Sequence, residues 1–298
     1  MPSFRPYTTR CITLRGRHLH LYAWGAEQPD PAATLFCLHG WGDLGASFQF
    51  VVDALPQDWC ILAPDWRGFG RSAHNDGPYW FPDYLADLDA LLEALSPNRP
   101  ATLVGHSLGG IVASLYAGIR PERVAHLALL EGLVLWSEAP ERAPERCAGW
   151  LDAVRGEDKP FPRFRSYASP EAFAARLQRD NPRLTSERAE FIARHALTRD
   201  TDGRLSVSAD PRHRWPAPTL FPLDEAMACW RRVRAPTLSL LGADSKLPAP
   251  GHLDAAALAA RHACFSQLRT ARLDNCGHNL HHDRPDAVAA HLQALLAP

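Results

Sequence analysis

At 298 residues the chain is long enough for about two domains of ~150 residues, or for one large domain carrying an insertion. With 46% hydrophobic and 22% charged residues it has an ordinary globular composition, which excludes a disordered, collagen-like or coiled-coil chain. Lys and Arg total 32 against 33 Asp and Glu, a balance that gives no reason to expect nucleic acid as a partner. The seven cysteines (Cys11, Cys37, Cys60, Cys147, Cys229, Cys264 and Cys276) show no C-x-x-C spacing, and their odd number leaves one unpaired. A reducing, cytoplasmic setting is expected. Met1 to Trp24 lacks the apolar core of a secretory signal, and no stretch approaches ~18 consecutive apolar residues, so neither export nor a membrane span is expected.

In chain order, Cys11–Leu14 and His18–Trp24 read as two short strands joined at Arg15-Gly16, an antiparallel start to a sheet. Short apolar runs follow at Thr34–Leu38, Cys60–Ala63, Ala101–Val104, Val124–Leu130 and Pro236–Leu241, with a last strand within Leu268–Leu273. Strands buried on both faces of a parallel sheet have this pattern. Helical stretches at Phe48–Leu55, Pro82–Leu95 and Leu108–Ile119 separate them. The alternation predicts an α/β, mostly parallel twisted sheet with helices on both faces, whose chemistry sits on loops at the carboxyl ends of the strands.

The rhythm breaks between Gly132 and Arg234. Amphipathic segments Pro170–Gln178, Ser186–Leu197 and Leu223–Val233 alternate there with Pro-rich connectors, and no convincing buried strand is present. The expected organisation is a core of residues 1–131 and 236–298, with a helical cap at 132–235 lying over the carboxyl edge of the sheet. The cap holds 18 Lys and Arg against 15 Asp and Glu, too small an excess to name an anionic substrate. Its aromatic residues (Trp136, Trp150, Phe161, Phe164, Tyr167, Trp215, Phe221 and Trp230) serve either as glue between cap and core or as a pocket for a bulky acyl group.

The strongest chemical signal is Gly105-His106-Ser107-Leu108-Gly109, a G-x-S-x-G directly after a buried strand and directly before an apolar helix. Small residues must flank a serine at so sharp a reversal, and its hydroxyl then projects at the amino end of the helix. The helix dipole and the Leu108 N–H can stabilise developing negative charge there. Ser107 is therefore the candidate nucleophile. Ser72 has no such turn and is a decoy.

With His39-Gly40-Trp41-Gly42-Asp43, the stretch Asp65-Trp66-Arg67-Gly68-Phe69-Gly70-Arg71-Ser72 and Asn275-Cys276-Gly277-His278, the chain resembles the α/β-hydrolase superfamily over nearly its whole length. It looks most like bacterial capped serine hydrolases of the esterase and dehalogenase-like branch. The resemblance implies an oxyanion hole from the N–H groups of Trp41 and Leu108, and places His39, Gly40, His106 and Trp136 beside the substrate. Asp65, Arg67, Gly68 and Gly70 are expected to brace the loop beneath. The general base is expected at His278, ahead of its neighbours His281 and His282, because it directly follows the glycine of the turn.

The third member stays open between two carboxylates. Most of the superfamily places the acid after the strand ending here at Leu241, in a G-x-x-D turn; this chain has Gly242-Ala243-Asp244-Ser245, with the carboxylate one position early and Ser245 in its place. Some dehalogenase-like members use the end of the strand before the cap, where Glu131 stands. Glu131 or Asp244 is expected to hold the histidine tautomer.

A serine nucleophile excludes haloalkane dehalogenase and epoxide hydrolase chemistry, which in this fold needs an aspartate. Acyl transfer to water remains: hydrolysis of a carboxylester, thioester or lactone of a small apolar or aromatic substrate through an acyl-enzyme. The alternatives on the same residues are a cofactor-free haloperoxidase, a lyase or a C–C hydrolase, and a catalytically dead binding module. H-E-x-x-H, G-x-G-x-x-G and G-x-x-x-x-G-K-[ST] are all absent, so neither a metal nor a cofactor is expected, and His278, His281 and His282 are not read as a metal cluster. The expected partner is a small molecule, and the chain is a monomer or homodimer.

Overall fold

The computed structural model describes residues 4–26, 33–135, 138–156, 164–199, 203–246 and 253–297. The first half runs β1 (Thr8–Leu14), β2 (Arg17–Trp24), β3 (Ala33–Leu38), α1 (Gln49–Ala54), β4 (Trp59–Pro64), α2 (Phe81–Leu95), β5 (Ala101–His106), α3 (Leu108–Ile119) and β6 (Val124–Leu130). A middle stretch follows with α4 (Ala143–Arg155), β7 (Ser166–Tyr167), α5 (Pro170–Asp180), α6 (Ser186–Ala196), β8 (Leu197–Arg199), β9 (Leu205–Val207) and α7 (Leu223–Trp230). The chain closes with β10 (Thr237–Gly242), α8 (Ala255–His262), β11 (Leu268–Leu273), α9 (Leu280–Asp283) and α10 (Pro285–Leu296).

Eight strands form one sheet in the order β1-β2-β4-β3-β5-β6-β10-β11. The first two pairings, β1 with β2 and β2 with β4, are antiparallel, and the rest are parallel. Burial explains the run of apolar residues: every residue of β4 and β5 is buried, whereas the edge strand β1 is largely exposed. One face packs Leu88, Leu91, Val112, Leu115 and Trp230 from α2, α3 and α7 against Leu103, Leu127 and Leu129. The other packs Val51, Val52, Val288 and Leu292 from α1 and α10 against Val104, Leu130 and Leu240. Helices thus cover both faces of an α/β-hydrolase fold.

The middle stretch departs from the all-helical expectation in two ways. It contains a three-stranded antiparallel sheet, β7-β9-β8, with strands of two or three residues, too short to show a period in sequence. And α7 belongs to the core layer. Trp230 is fully buried and its indole N–H donates to Ser114 Oγ of α3 at 2.9 Å. A Cβ at Gly118 would fall 1.9 Å from the Cys229 carbonyl oxygen, so α3 and α7 are in backbone contact. An amphipathic helix shows that it has an apolar face without showing which surface covers it.

The Asp65–Ser72 segment ties this stretch to the core. The Gly70 N–H donates to the Ser208 carbonyl at 2.7 Å, the Asp210 N–H donates to the Gly68 carbonyl at 2.8 Å, and Phe69 bridges Ala209. Asp65 is wholly buried and accepts the N–H groups of Gly45 and Arg71 at 2.8 and 2.9 Å. Arg67 is held bidentate by Asp87 at 2.5 and 2.6 Å. Ser72 is also spent on structure, donating to the Asp65 carbonyl at 2.6 Å.

Candidate active site

Ser107 sits between β5 and α3 with φ +48° and ψ −115°, a strained geometry for an L-residue that exposes the side chain at the turn. The flanking glycines are required by contact. A Cβ at Gly105 would lie 2.5 Å from the Gly109 carbonyl oxygen, and one at Gly109 would lie 2.1 Å from that of Leu38. The Ser107 N–H donates to the Leu130 carbonyl at 3.0 Å, fixing the elbow to the end of β6.

Beside it runs the loop that follows β3. Gly40 backs onto the elbow, its would-be Cβ lying 2.7 Å from His106 Nδ1 and 3.2 Å from Ser107 Cβ, and the Gly109 N–H donates to the His39 carbonyl at 3.1 Å. His39 does not reach the cavity where substrate was expected to meet it. It is fully buried; Nε2 accepts the Trp66 N–H at 2.8 Å, so Nδ1 carries the proton and donates to the Gly40 carbonyl at 2.7 Å. Burial pushes its imidazole below the usual range, consistent with a neutral brace for the loop. Gly40 likewise serves by backbone packing.

Glu131 is the first residue past β6, with φ +51° and only 3% exposure. Its Oε2 lies 3.0 Å from His278 Nδ1. Two further donors fix the carboxylate: the Gly242 N–H to Oε1 at 2.8 Å and the Ser245 hydroxyl to Oε2 at 2.7 Å. Asp244 is not at this site. Its side chain is 46% exposed and pairs with Arg183 at 2.6 Å, while its neighbour Ser245 turns inward. The geometry therefore brings Glu131 to His278 and leaves Asp244 on the surface.

His106 is buried beneath the site. Because a carbonyl only accepts, its Nε2–H donates to the His278 carbonyl at 3.0 Å, and burial keeps its imidazole well below the ordinary range, hence neutral. It steadies the loop that bears His278.

Ser107 and His278 open on one cavity of about 240 Å³, together with Trp41, Gly42, Asp43, His106 and His282. Across it α5 and α6 contribute Phe173, Leu177, Asp180, Ile192 and Ala196, with Asn181 and Leu184 between them. Larger hollows lie elsewhere, of about 370 Å³ against β8 and β9 and about 630 Å³ at the amino end of the sheet, and neither includes Ser107 or His278. The aromatic residues singled out in the sequence mostly pack away from the cavity. Trp150 contacts Trp80, Phe221 contacts Phe81 and Trp230 stacks on Phe265. Phe164 meets Trp41 at 6.2 Å and Tyr167 meets Phe173 at 4.7 Å, each behind a residue that lines it. Trp136 and Phe161 lie outside the described residues.

A serine at a helix amino terminus, an imidazole whose Nδ1 faces a buried carboxylate and an adjoining backbone loop have the geometry of acyl-transfer catalysts. The family model for the alpha/beta hydrolase fold matches residues 33–285, and the chain belongs to that family. A serine hydrolase-like protein of Danio rerio is 28% identical over 278 residues, covering 92% of this chain and 84% of the relative. A pimeloyl-[acyl-carrier protein] methyl ester esterase of Vibrio parahaemolyticus is 37% identical over 110 residues, 37% of this chain and 39% of the relative. Among solved structures, a thioesterase domain from the curacin biosynthetic pathway superposes with a TM-score of 0.84 at 26% identity, covering 97% of this chain and 99% of that one. The protein is thus an α/β hydrolase whose neighbours include esterases and thioesterases. Among the described residues no helix is long and apolar enough to cross a membrane, and all seven cysteines are free.

Proposed function

We propose that the chain is a serine hydrolase cleaving an ester-type bond, a carboxylester, thioester or lactone, of a small apolar acyl substrate. The observation that carries this is the 3.0 Å contact between Glu131 and His278 Nδ1, with Ser107 and His278 on one cavity. Held at Nδ1, the imidazole presents Nε2 to the Ser107 hydroxyl, takes its proton during attack on the acyl carbon and returns it to the leaving group. Glu131 stabilises the cation formed in that step. The N–H groups of Leu108 and Trp41 receive the oxyanion, and water attacks the acyl-enzyme by the same proton route in reverse.

The middle stretch acts as the cap in this reading, with α5 and α6 as its working part. The aliphatic lining Leu177, Leu184, Ile192 and Ala196 beside Phe173 favours an alkyl acyl chain over a large aromatic one. At about 240 Å³ the cavity is smaller than the ~300–1,000 Å³ of drug-sized sites, which favours a short to medium chain. The esterase and thioesterase neighbours support the bond class, and the partner is a small molecule.

A panel of p-nitrophenyl esters of graded acyl length, with thioesters and lactones beside it, tests the reading. Turnover is expected to peak at short to medium aliphatic acyl groups and to fall by on the order of 10⁶ in Ser107→Ala, as when a nucleophile is removed from a triad. Near-wild-type hydrolysis by a folded Ser107→Ala protein would overturn it.

A further inference from the structure

Behind the oxyanion loop a second group of side chains converges. Asp43, which closes that loop through its N–H to the Gly40 carbonyl at 3.3 Å, turns its Oδ2 toward two consecutive histidines of α9. His281 Nε2 lies 3.0 Å from it and His282 Nε2 lies 3.9 Å from it, and the three donor atoms all fall within 4.8 Å of one another. Ser47 Oγ also donates to Asp43 Oδ2, at 2.8 Å. His281 is fully buried and stacks on Phe48 at 5.0 Å. His282 is 7% exposed, and its Nε2, aimed at the group, has no hydrogen-bond partner among the described residues.

A lone Asp–His hydrogen bond would account for His281 Nε2, which also lies 3.3 Å from Ser47 Oγ, but not for His282 Nε2 or for His281 Nδ1, which is likewise without a partner among the described residues. A buried polar nitrogen without a partner is costly, and that of His282 points at a carboxylate already holding another imidazole. From this geometry we infer that Asp43, His281 and His282 form a binding site for a divalent transition metal ion of the Zn2+ class.

Two imidazoles and a carboxylate are the donors such ions take, at about 2.0–2.2 Å per bond. Bonds of that length around a tetrahedral ion put donors about 3.4 Å apart. Asp43 Oδ2 stands 3.0 and 3.9 Å from the two imidazole nitrogens, on either side of that value, and all three donors lie within 4.8 Å of one another.

Access comes from the cavity, because Asp43 and His282 line it with Ser107. The fourth position of a three-ligand ion would be left to water or to a substrate group. The site is distinct from the serine and its base, and its existence does not depend on the hydrolase reading.

Calorimetric titration of the chelator-stripped full chain with Zn2+, compared with His282→Gln and with His18→Gln at the exposed end of β2, tests the assignment. One equivalent is expected to bind to the wild type and to His18→Gln. His282→Gln should weaken binding by more than about a hundredfold, the upper end of what loss of an outer-shell partner costs. No stoichiometric binding, or equal affinity in His282→Gln, would overturn the site. X-ray absorption at the zinc edge of the wild-type protein provides a measurement that no variant's misfolding can spoil. Two imidazoles with oxygen completing the shell are expected; a sulfur ligand, or fewer than two imidazoles, would assign the ion elsewhere and end the proposal.

Discussion

The strands β6 and β10 lie side by side, parallel, and end at the same edge of the sheet, yet their two terminal acids have opposite fates. Glu131 is buried against His278 with three polar partners; Asp244 faces solvent on Arg183. Side-chain reach and backbone geometry account for the difference. The left-handed φ of Glu131 turns a side chain one methylene longer than aspartate across to the β10 turn. That turn supplies donors instead of the acid: the Gly242 N–H and the Ser245 hydroxyl both grip the Glu131 carboxylate. In the proposed triad the orienting acid sits at the end of one strand, and the turn after its neighbour furnishes the hydrogen bonds that hold it.

Breaking the favoured side of the comparison has the largest expected effect. Glu131→Gln should lower kcat on the test ester by on the order of 10⁴, as when a triad carboxylate becomes an amide and the imidazole takes the wrong tautomer. A loss below about tenfold would remove Glu131 from the proposed triad. Moving the acid across sharpens the comparison: Ser245→Asp placed in the Glu131→Gln background should recover roughly tenfold to a hundredfold in kcat. Full recovery is not expected, because a transplanted carboxylate is less well aligned. No recovery in a folded double variant would show that the two strand ends are not interchangeable.

Removing only the supporting donor, Ser245→Ala, should cost on the order of tenfold in kcat, the equivalent of about 1.5 kcal/mol for a hydrogen bond to a charged group. Asp244→Asn should change least. Its exposed pair with Arg183 contributes less than about 1 kcal/mol, so kcat should stay within about twofold and the melting temperature should barely move. Steady-state kinetics and thermal melts of the four variants, side by side, give the ranking.

The elbow was legible in the sequence because it rests on local rules: a buried strand, two glycines that admit no side chain and a helix start are contiguous in the chain. The sheet was legible for the same reason, since its central strands are apolar on both faces. The choice between Glu131 and Asp244 was not, because it depends on the backbone angle at Glu131 and on Ser245, 114 residues away. The displaced G-x-x-D turn was a usable signal, and the serine at its fourth position marks where the missing carboxylate would have been. His39 was read as lining the substrate site because it adjoins the oxyanion loop, whereas both of its ring nitrogens are engaged in holding that loop. The aromatic residues of the middle stretch signalled burial without saying against what. The grouping of Asp43 with His281 and His282 joins positions 238 and 239 residues apart, and only the fold brings them together.

The account rests on the proton that His278 Nδ1 shares with Glu131, and proton NMR of the free protein observes it directly. A strongly downfield imidazole N–H, assigned to His278 by its loss in His278→Ala, should be present in the wild type and unchanged in Asp244→Asn. In Glu131→Gln it should vanish or move upfield. A resonance that survives unaltered in Glu131→Gln, or that disappears in Asp244→Asn, would contradict the assignment of Glu131 as the group that orients His278.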